Sequence, residues 1–187
     1  MTRDDVVAAA EDLLGEVGPE AFAMRALASR LGVSPNALYN HVTSRDDLLT
    51  AVAEHRLSAF RLPEAVGPWP EWLAAVATAL HAWLGGRPRL TGVVLAHVGS
   101  TRTGRQLLTA VLDRLEDEGV ERATAHLAWH AVLTAVLGSV QQEHSRGRPD
   151  DSFPAVLDLV LRGVVAAAAA PPDAGARELL RRHPLGG

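Results

Sequence analysis

The sequence predicts an all-α protein, and three observations support this fold class. Apolar residues make up 48% of the 187 residues, and Ala and Leu recur throughout. Aromatic residues are only 4% of the chain, and clusters of the β-branched residues that favour strands are few. Apolar residues recur at helical spacing between breaks rich in Gly and Pro, which indicates nine to ten helices.

Capping residues and breaks bound helix one and helix four. Thr2 and Asp5 resemble a capping box, and the apolar pattern that follows them ends at a Gly-Pro pair. Ser44 and Asp47 repeat this kind of start, and the helical pattern after them continues to about residue 62. Residues 62–70 contain three prolines and a glycine, which indicates a connection to a larger body.

The body is predicted to contain five further helices separated by glycines. They are expected near residues 70–84, 88–97, 103–118, 121–144 and 152–169. A frayed terminal turn is expected within 173–182. We therefore expect a three-helix head over residues 1–45 and a helical body over residues 46–187, with helix four as the connector.

Residues 25–42 fit a helix-turn-helix. This motif needs two short helices joined by a tight turn, and its second helix presents small or polar residues to base edges. A helix over 24–31 is broken by Gly32, and Ser34-Pro35 starts another that runs to about residue 41, because Ser favours the N-cap and Pro the first helical position. Apolar side chains pack the two helices together. The residues left on the groove-facing side are Ser34, Pro35, Asn36, Ala37, Asn40 and His41.

Charge is unevenly distributed along the chain. The net charge of −4 argues against a protein that coats nucleic acid without specificity, since that function requires a broad basic surface. Residues 21–45 nevertheless contain Arg25, Arg30, Arg45 and His41 with no Asp or Glu. The sequence therefore favours a local docking patch for DNA rather than a general DNA coat.

Composition also bears on location. The chain has no cysteine, which excludes disulfides, thiolate metal sites and a Cys nucleophile. The N-terminus lacks the apolar core of a signal peptide, and the most apolar stretch, residues 155–170, is too short to span a membrane and carries Asp158 and Arg162. We expect a soluble, cytoplasmic protein with no membrane partner.

An enzyme is the remote alternative. His126 and His130 are four residues apart on one predicted helix, which is the spacing at which two imidazoles share a metal. The Glu of a His-Glu-x-x-His site is missing, because the stretch reads HLAWH. The other interpretation is that both histidines line a cavity or lie at a polar edge of an interface. No other catalytic pattern stands out, so no catalytic residue is predicted.

The segment MRALASRLGVSPNALYNHVTSRDDLL resembles the DNA-binding head of TetR transcriptional regulators. In the body, WPEWLAAVATAL, AHVGS and VLGSVQQEH are similar in order and rough spacing to the tetracycline-repressor class, so the resemblance covers most of the chain. It implies a repressor that binds a palindromic double-stranded DNA operator as a homodimer and releases it when a small-molecule effector of unknown identity binds. The alternatives are a ligand-responsive activator, a ligand-independent regulator and an inert dimeric adaptor.

The resemblance also implies roles for residues of the head. Arg25 would contact a base or phosphate, and Tyr39, His41 and Arg45 would hold phosphates. Tyr39 also has a packing role open to it, and the two roles are compatible. Many family members have Thr before that Arg, whereas residues 23–24 here are Ala-Met, which removes a cap. The residues expected to bind DNA are Arg25, Ser34, Pro35, Asn36, Ala37, Tyr39, Asn40, His41 and Arg45.

Apolar bulk and polar side chains in the body suit an amphipathic or aromatic small molecule, although an ordinary packed core has the same composition. In tetracycline-binding members a His-x-Gly-Thr stretch contributes to the site of drug-bound Mg²⁺, and here Ser100 replaces that Thr after His97. The other polar residues of that pocket are missing, because the matching helix reads LAAVATAL. Tetracycline is therefore not the expected effector, and no cofactor is predicted beyond an effector. The candidate ligand-binding residues are Trp72, His81, Trp83, His97, Ser100, Trp129, His130, Thr134 and Gln142.

Helices eight and nine are each predicted to have apolar residues on more than one face, which requires a second partner surface. By resemblance they form the four-helix bundle of a homodimer. A two-fold dimer also supplies a second recognition helix, since one short helix reads too few bases for specificity. The predicted interface residues are Ala128, Ala135, Val136, Phe153, Leu157, Val160, Leu161 and Val164.

Overall fold

A computed structural model describes residues 1–149 and 151–170. These residues form nine α-helices and no strand, which confirms the all-α prediction. The helices are α1 (Arg3–Val17), α2 (Met24–Arg30), α3 (Pro35–Leu38), α4 (Arg45–Ser58), α5 (Trp69–Gly85), α6 (Pro88–His97), α7 (Arg102–Asp117), α8 (Arg122–Arg146) and α9 (Phe153–Ala169). A 3-10 turn, Val98–Ser100, lies between α6 and α7. The terminal turn expected within 173–182 lies outside the described residues.

The chain divides into two compact units that do not follow its order. The first, which we call the head unit, consists of Met1–Arg61 and Gly86–Arg105. The second, the body unit, consists of Leu62–Gly85 and the described part of Gln106–Gly187. The head unit therefore takes in α4, which the sequence predicts as a connector, and α6, which the sequence predicts within the body.

One apolar core explains why the head unit extends beyond residue 45. It is built from α1 to α4 and also from α6, which packs against α1 and α4. Leu48 and Val52 of α4 are buried in this core, together with Leu90 and Val93 of α6. The apolar spacing of α6 predicts an amphipathic helix but not which neighbour covers its apolar face.

The second helix of the motif is shorter than expected. α3 ends at Leu38 rather than near residue 41, and a tighter turn follows. In that turn the Tyr39 amide donates to the Asn36 carbonyl at 3.2 Å, and the His41 amide donates to the Leu38 carbonyl at 2.9 Å. Hydrogen bonds between residues three apart tighten the end of a helix in this way. α4 also ends early, at Ser58 rather than near residue 62.

In the body unit, α5, α8 and α9 pack against one another. α8 is the one helix of the described residues that is long and apolar enough to cross a membrane, with a mean hydropathy of 1.3 over its most apolar stretch. A core helix of a globular protein has the same length and composition. α8 contributes to such a core, since Val132 and Val136 are fully buried within this chain.

Candidate functional site

Residues 24–42 form the helix-turn-helix that the sequence predicts. Gly32 sits in the turn with φ of 68°, a left-handed conformation that favours glycine. The Ser34 hydroxyl caps α3 by accepting a hydrogen bond from the Ala37 amide at 3.3 Å. Leu27 of α2 and Leu38 of α3 are fully buried and hold the two helices on the head core.

One side of this motif is exposed, and several of its polar side chains make no hydrogen bond or ion pair with the rest of the described chain. Arg25, Asn36 and Asn40 are exposed, and Tyr39 is 50% exposed. Within the described ranges 1–149 and 151–170, none of these four side chains makes a hydrogen bond or an ion pair with another residue. Ser34 and Pro35 are also exposed. The surface is therefore rich in polar donors and acceptors that are free to meet a ligand.

Two predicted contact residues, Ala37 and His41, are half-buried, and a third, Arg45, is exposed but already engaged. The Arg45 guanidinium donates to the Pro19 carbonyl at 3.0 Å. Its carbon also lies 5.7 Å from the centre of the Phe22 ring, within range of a cation–π interaction. Arg45 therefore ties the start of α4 to the loop between α1 and α2, a role that its sequence position did not indicate.

A cluster around Asp47 was missed by the sequence analysis. Ser44 and Asp47 predict a capping box, and the Ser44 hydroxyl does accept the Asp47 amide at 3.0 Å. The Asp47 carboxylate instead accepts hydrogen bonds from Arg3 at 2.9 Å and from the Thr43 amide at 2.8 Å. These bonds, led by that from Arg3, lower the pKa of Asp47 from 3.8 to about 2. The Arg3 guanidinium also donates to the His41 carbonyl at 2.9 Å.

Two glutamates of α1, Glu16 and Glu11, connect this helix to other parts of the head unit. Arg30 makes a two-point contact with Glu16 at 2.6 and 2.7 Å. Glu11 is buried and accepts hydrogen bonds from Arg87 at 3.1 Å and from His55 at 2.8 Å. These pairs connect residues far apart in sequence, so no local pattern could have indicated them.

The predicted ligand-binding residues of the body unit are not all in one environment. Trp72 is buried, and its indole donates to the Pro63 carbonyl at 3.1 Å. His81 is half-buried, with its Nε2 at 3.0 Å from the Ser139 hydroxyl and its ring stacked on Phe153 at 4.0 Å. Among the others, Trp83 and Trp129 are half-buried, whereas His130, Thr134 and Gln142 are exposed.

His97 and Ser100 belong to the head unit, unlike the other predicted ligand-binding residues. His97 ends α6 and is half-buried, and its Nδ1 lies 3.0 Å from the Thr50 hydroxyl of α4. The His97 side chain therefore contacts α4 within the head unit. Ser100 is exposed in the 3-10 turn that follows.

A groove in the body unit does not include any of the predicted ligand-binding residues. It has a volume of about 490 Å³ and lies between the start of α5 and α9. Its charged lining residues are Glu71 and Arg162, and the rest of the lining is apolar.

The single chain already covers part of the predicted dimer interface. Ala128, Val136, Phe153, Leu157 and Val164 are already buried within the single chain, and Ala135, Val160 and Leu161 are half-buried. A side chain that its own chain covers has little surface left for a partner. The large apolar residues that α9 does expose are Val156, Leu159 and Val165. Helical periodicity identifies an apolar stripe but not whether it faces the same chain or a partner.

His126 and His130, the pair of the metal alternative, lie on α8. His126 is half-buried, and burial is the main cause that lowers its pKa below 6.5. Within residues 1–149 and 151–170, no three side chains of His, Asp or Glu lie close enough together to hold a metal ion.

Comparisons with known proteins agree with this geometry. Residues 6–52 match the family model of bacterial regulatory proteins of the tetR family. An HTH-type transcriptional regulator of Saccharopolyspora erythraea is 34% identical over 149 residues, which are 76% of this chain and 61% of that regulator. This chain therefore spans less than two thirds of that relative.

Solved structures extend the likeness over both units. The crystal structure of BioQ with its natural double-stranded DNA operator has a TM-score of 0.76 and 30% identity, and the match covers 89% of this chain and 99% of that one. The chain belongs to the TetR family. A variant of TetR from Acinetobacter baumannii AYE in complex with minocycline has a TM-score of 0.78 and 28% identity, over 92% of this chain and 97% of that one. The resemblance stated from the sequence is thus confirmed.

Proposed function

We propose that this TetR-family regulator is a cytoplasmic repressor that binds a palindromic operator as a homodimer and is released by a small-molecule effector. The observation that carries the DNA-binding part is the exposed face of the helix-turn-helix. Arg25, Asn36, Tyr39 and Asn40 are exposed there without partners in the described part of the chain, and residues 21–45 carry no acid. Arginine and asparagine are the side chains that most often read base edges in the major groove.

The operator complex of BioQ supports the proposal that a head of this fold binds duplex DNA. In our proposal Arg25 and Asn40 read bases, whereas Tyr39 and His41 contact phosphates. Because this proposal includes few phosphate contacts, we expect a salt dependence of binding that is modest for a DNA-binding protein.

Release by an effector rests on the minocycline complex of the TetR relative and on the polar groups of the body unit. An effector acts by binding one conformation of the dimer more tightly than the other. We propose that this conformation spaces the two recognition helices incorrectly for the operator. The effector remains a small molecule of unidentified class, and we propose no catalytic activity.

The homodimer is proposed to use the outward face of α9, where Leu159 is 66% exposed. Val156 is also exposed and lies one turn before Leu159, so these two side chains give an apolar surface that a two-fold related copy can cover. Arg162 and Asp158 are also exposed on α9, where they form an ion pair, so polar groups border this apolar surface.

The decisive experiment is footprinting on the DNA that flanks the gene, followed by titration of the protected palindrome. We expect a protected palindrome at moderate salt. Arg25→Ala and Asn40→Ala should each weaken operator binding more than binding to random DNA, by roughly 1 to 3 kcal/mol for each base that the variant no longer reads. Arg30→Ala, which alters a charge paired with Glu16 on the same head, serves as the matched control and should leave the affinity unchanged. Equal affinity of all variants for a palindrome would show that the recognition surface lies elsewhere.

A further inference from the structure

We propose that Arg3 is a positioning residue for DNA recognition, because its guanidinium joins the turn after the recognition helix to the first turn of α4. This inference rests on the proposed function, since it assigns a role in operator binding. Arg3 lies at the start of α1, far in sequence from both of its partners. No side chain in the recognition helix itself takes part in this contact.

The geometry uses the fixed fork of the guanidinium. Nη1 donates to the His41 carbonyl at 2.9 Å, and Nη2 donates to Asp47 Oδ1 at 2.9 Å. Two donors on one planar group fix the distance and angle between their two acceptors. The position of Arg3 is itself fixed, because Thr2 and Asp5 form a complete capping box at the start of α1.

The recognition helix needs such support because it is very short. α3 has four residues, and a helix of about one turn is not stable without tertiary contacts. Leu38 and Val42 are buried on the head core and hold one side of the segment. Between them lie Tyr39 and Asn40, whose direction depends on the backbone of the turn that ends at the His41 carbonyl. The bond from Arg3 holds that carbonyl.

Asp47 completes the arrangement from the other side. Its carboxylate also accepts the Thr43 amide at 2.8 Å and the Thr43 hydroxyl at 3.2 Å. The turn between the recognition helix and α4 is therefore bonded at two points, residues 41 and 43, to one ion pair. A carboxylate close to this surface repels DNA phosphates, so a role in attracting DNA would not account for it.

This repulsion allows a test, because a positioning role and a phosphate-contact role of Arg3 predict opposite changes in operator affinity for Asp47→Asn. If Arg3 positions the turn, Asp47→Asn weakens operator binding, because the ion pair that holds Arg3 is lost. If Arg3 instead contacts a DNA phosphate, Asp47→Asn strengthens binding, because a negative charge is removed and Arg3 is released toward the DNA.

The experiment titrates the full-length protein into a fluorescein-labelled duplex that contains the footprinted palindrome, and into a scrambled duplex of the same length, over a range of salt. We expect Arg3→Ala and Asp47→Asn each to lower operator affinity by about tenfold, to lower the preference for operator over scrambled DNA, and to leave the salt dependence unchanged. A protein that is merely less stable but still folded at the assay temperature would not change this preference. Arg3→Lys keeps the charge but not the fork, and should give an intermediate loss.

Arg30→Ala is the matched control, since it breaks an exposed two-point ion pair in the same head unit and should leave both affinities unchanged. Unchanged operator affinity in Arg3→Ala and Asp47→Asn overturns the proposal. A higher operator affinity of Asp47→Asn also overturns the proposal. The same holds if the slope of log affinity against log salt for Arg3→Ala falls by the amount expected for one lost phosphate contact. If Arg3→Ala does not fold, Asp47→Asn decides by its sign. A wild-type protein that shows no preference for any palindrome refutes the proposed function itself, which is a separate outcome.

Discussion

Arg45 gives the sharpest test of the head unit, because its sequence position indicates phosphate binding whereas the structure shows it engaged within the head. We expect Arg45→Ala to lower the free energy of unfolding in the absence of DNA. The hydrogen bond from the guanidinium to the Pro19 carbonyl at 3.0 Å contributes about 1 kcal/mol at an exposed site. The cation–π contact with Phe22 at 5.7 Å adds about 0.5 to 1 kcal/mol. The expected loss is therefore about 1.5 to 2 kcal/mol.

Thermal melting at fixed protein concentration measures this loss. For a domain of this size the melting temperature falls by roughly 2 to 4 °C for each kcal/mol lost from the free energy of unfolding, so the midpoint should fall by several degrees. Arg25→Ala is the matched control, since Arg25 is an exposed arginine of the same head whose side chain has no partner in the described residues. Its midpoint should not change. An unchanged midpoint for Arg45→Ala, with a weaker salt dependence of DNA binding, would refute the structural role and would indicate that Arg45 contacts a DNA phosphate.

Three further predictions concern stability and assembly. Asp47→Asn should lower the free energy of unfolding near neutral pH. The pKa of Asp47 in the folded protein is depressed from 3.8 to about 2, so the difference in stability between variant and wild type should disappear as the pH falls through that range. Acid titrations followed by circular dichroism measure this difference. Gly104→Ala should destabilise the protein by about 1 to 3 kcal/mol in urea denaturation, because a Cβ there would lie 2.6 Å from a threonine hydroxyl and closer still to a carbonyl of the preceding 3-10 turn. The control is Gly92→Ala in α6, whose Cβ would meet nothing within 4 Å and which should be neutral or stabilising in the same assay. Leu159→Glu should give a folded monomer in sedimentation, whereas Leu157→Glu, at a position 5% exposed, should unfold the chain; a dimer of unchanged size in Leu159→Glu would place the interface elsewhere.

Local features were predictable from the sequence. The capping box of Thr2 and Asp5, the cap at Ser34 and the turn at Gly32 all depend on residues within a few positions of one another. The helix-turn-helix and its exposed face follow from these local signals and from helical spacing. Most of the helix boundaries follow in the same way, within a few residues.

Contacts between distant segments were not predictable in this way. The bond between Arg3 and Asp47 joins residues 44 positions apart, and many other carboxylates in the chain are equally eligible partners. α6 carries an apolar stripe whose neighbours only the fold decides. In α9, apolar residues occur on several faces, so the sequence does not distinguish Leu157, which faces inward, from Leu159, which faces outward.

The order in which the chain is made gives the composition of the head unit a further consequence. Its core requires Leu90 and Val93 from α6, so the recognition helix emerges from the ribosome long before the helix that completes its support. α5, which belongs to the body unit, must be synthesised in between. The head core is therefore complete only after α6 has been made, and a head moved between regulators keeps its own core only if both segments are transferred.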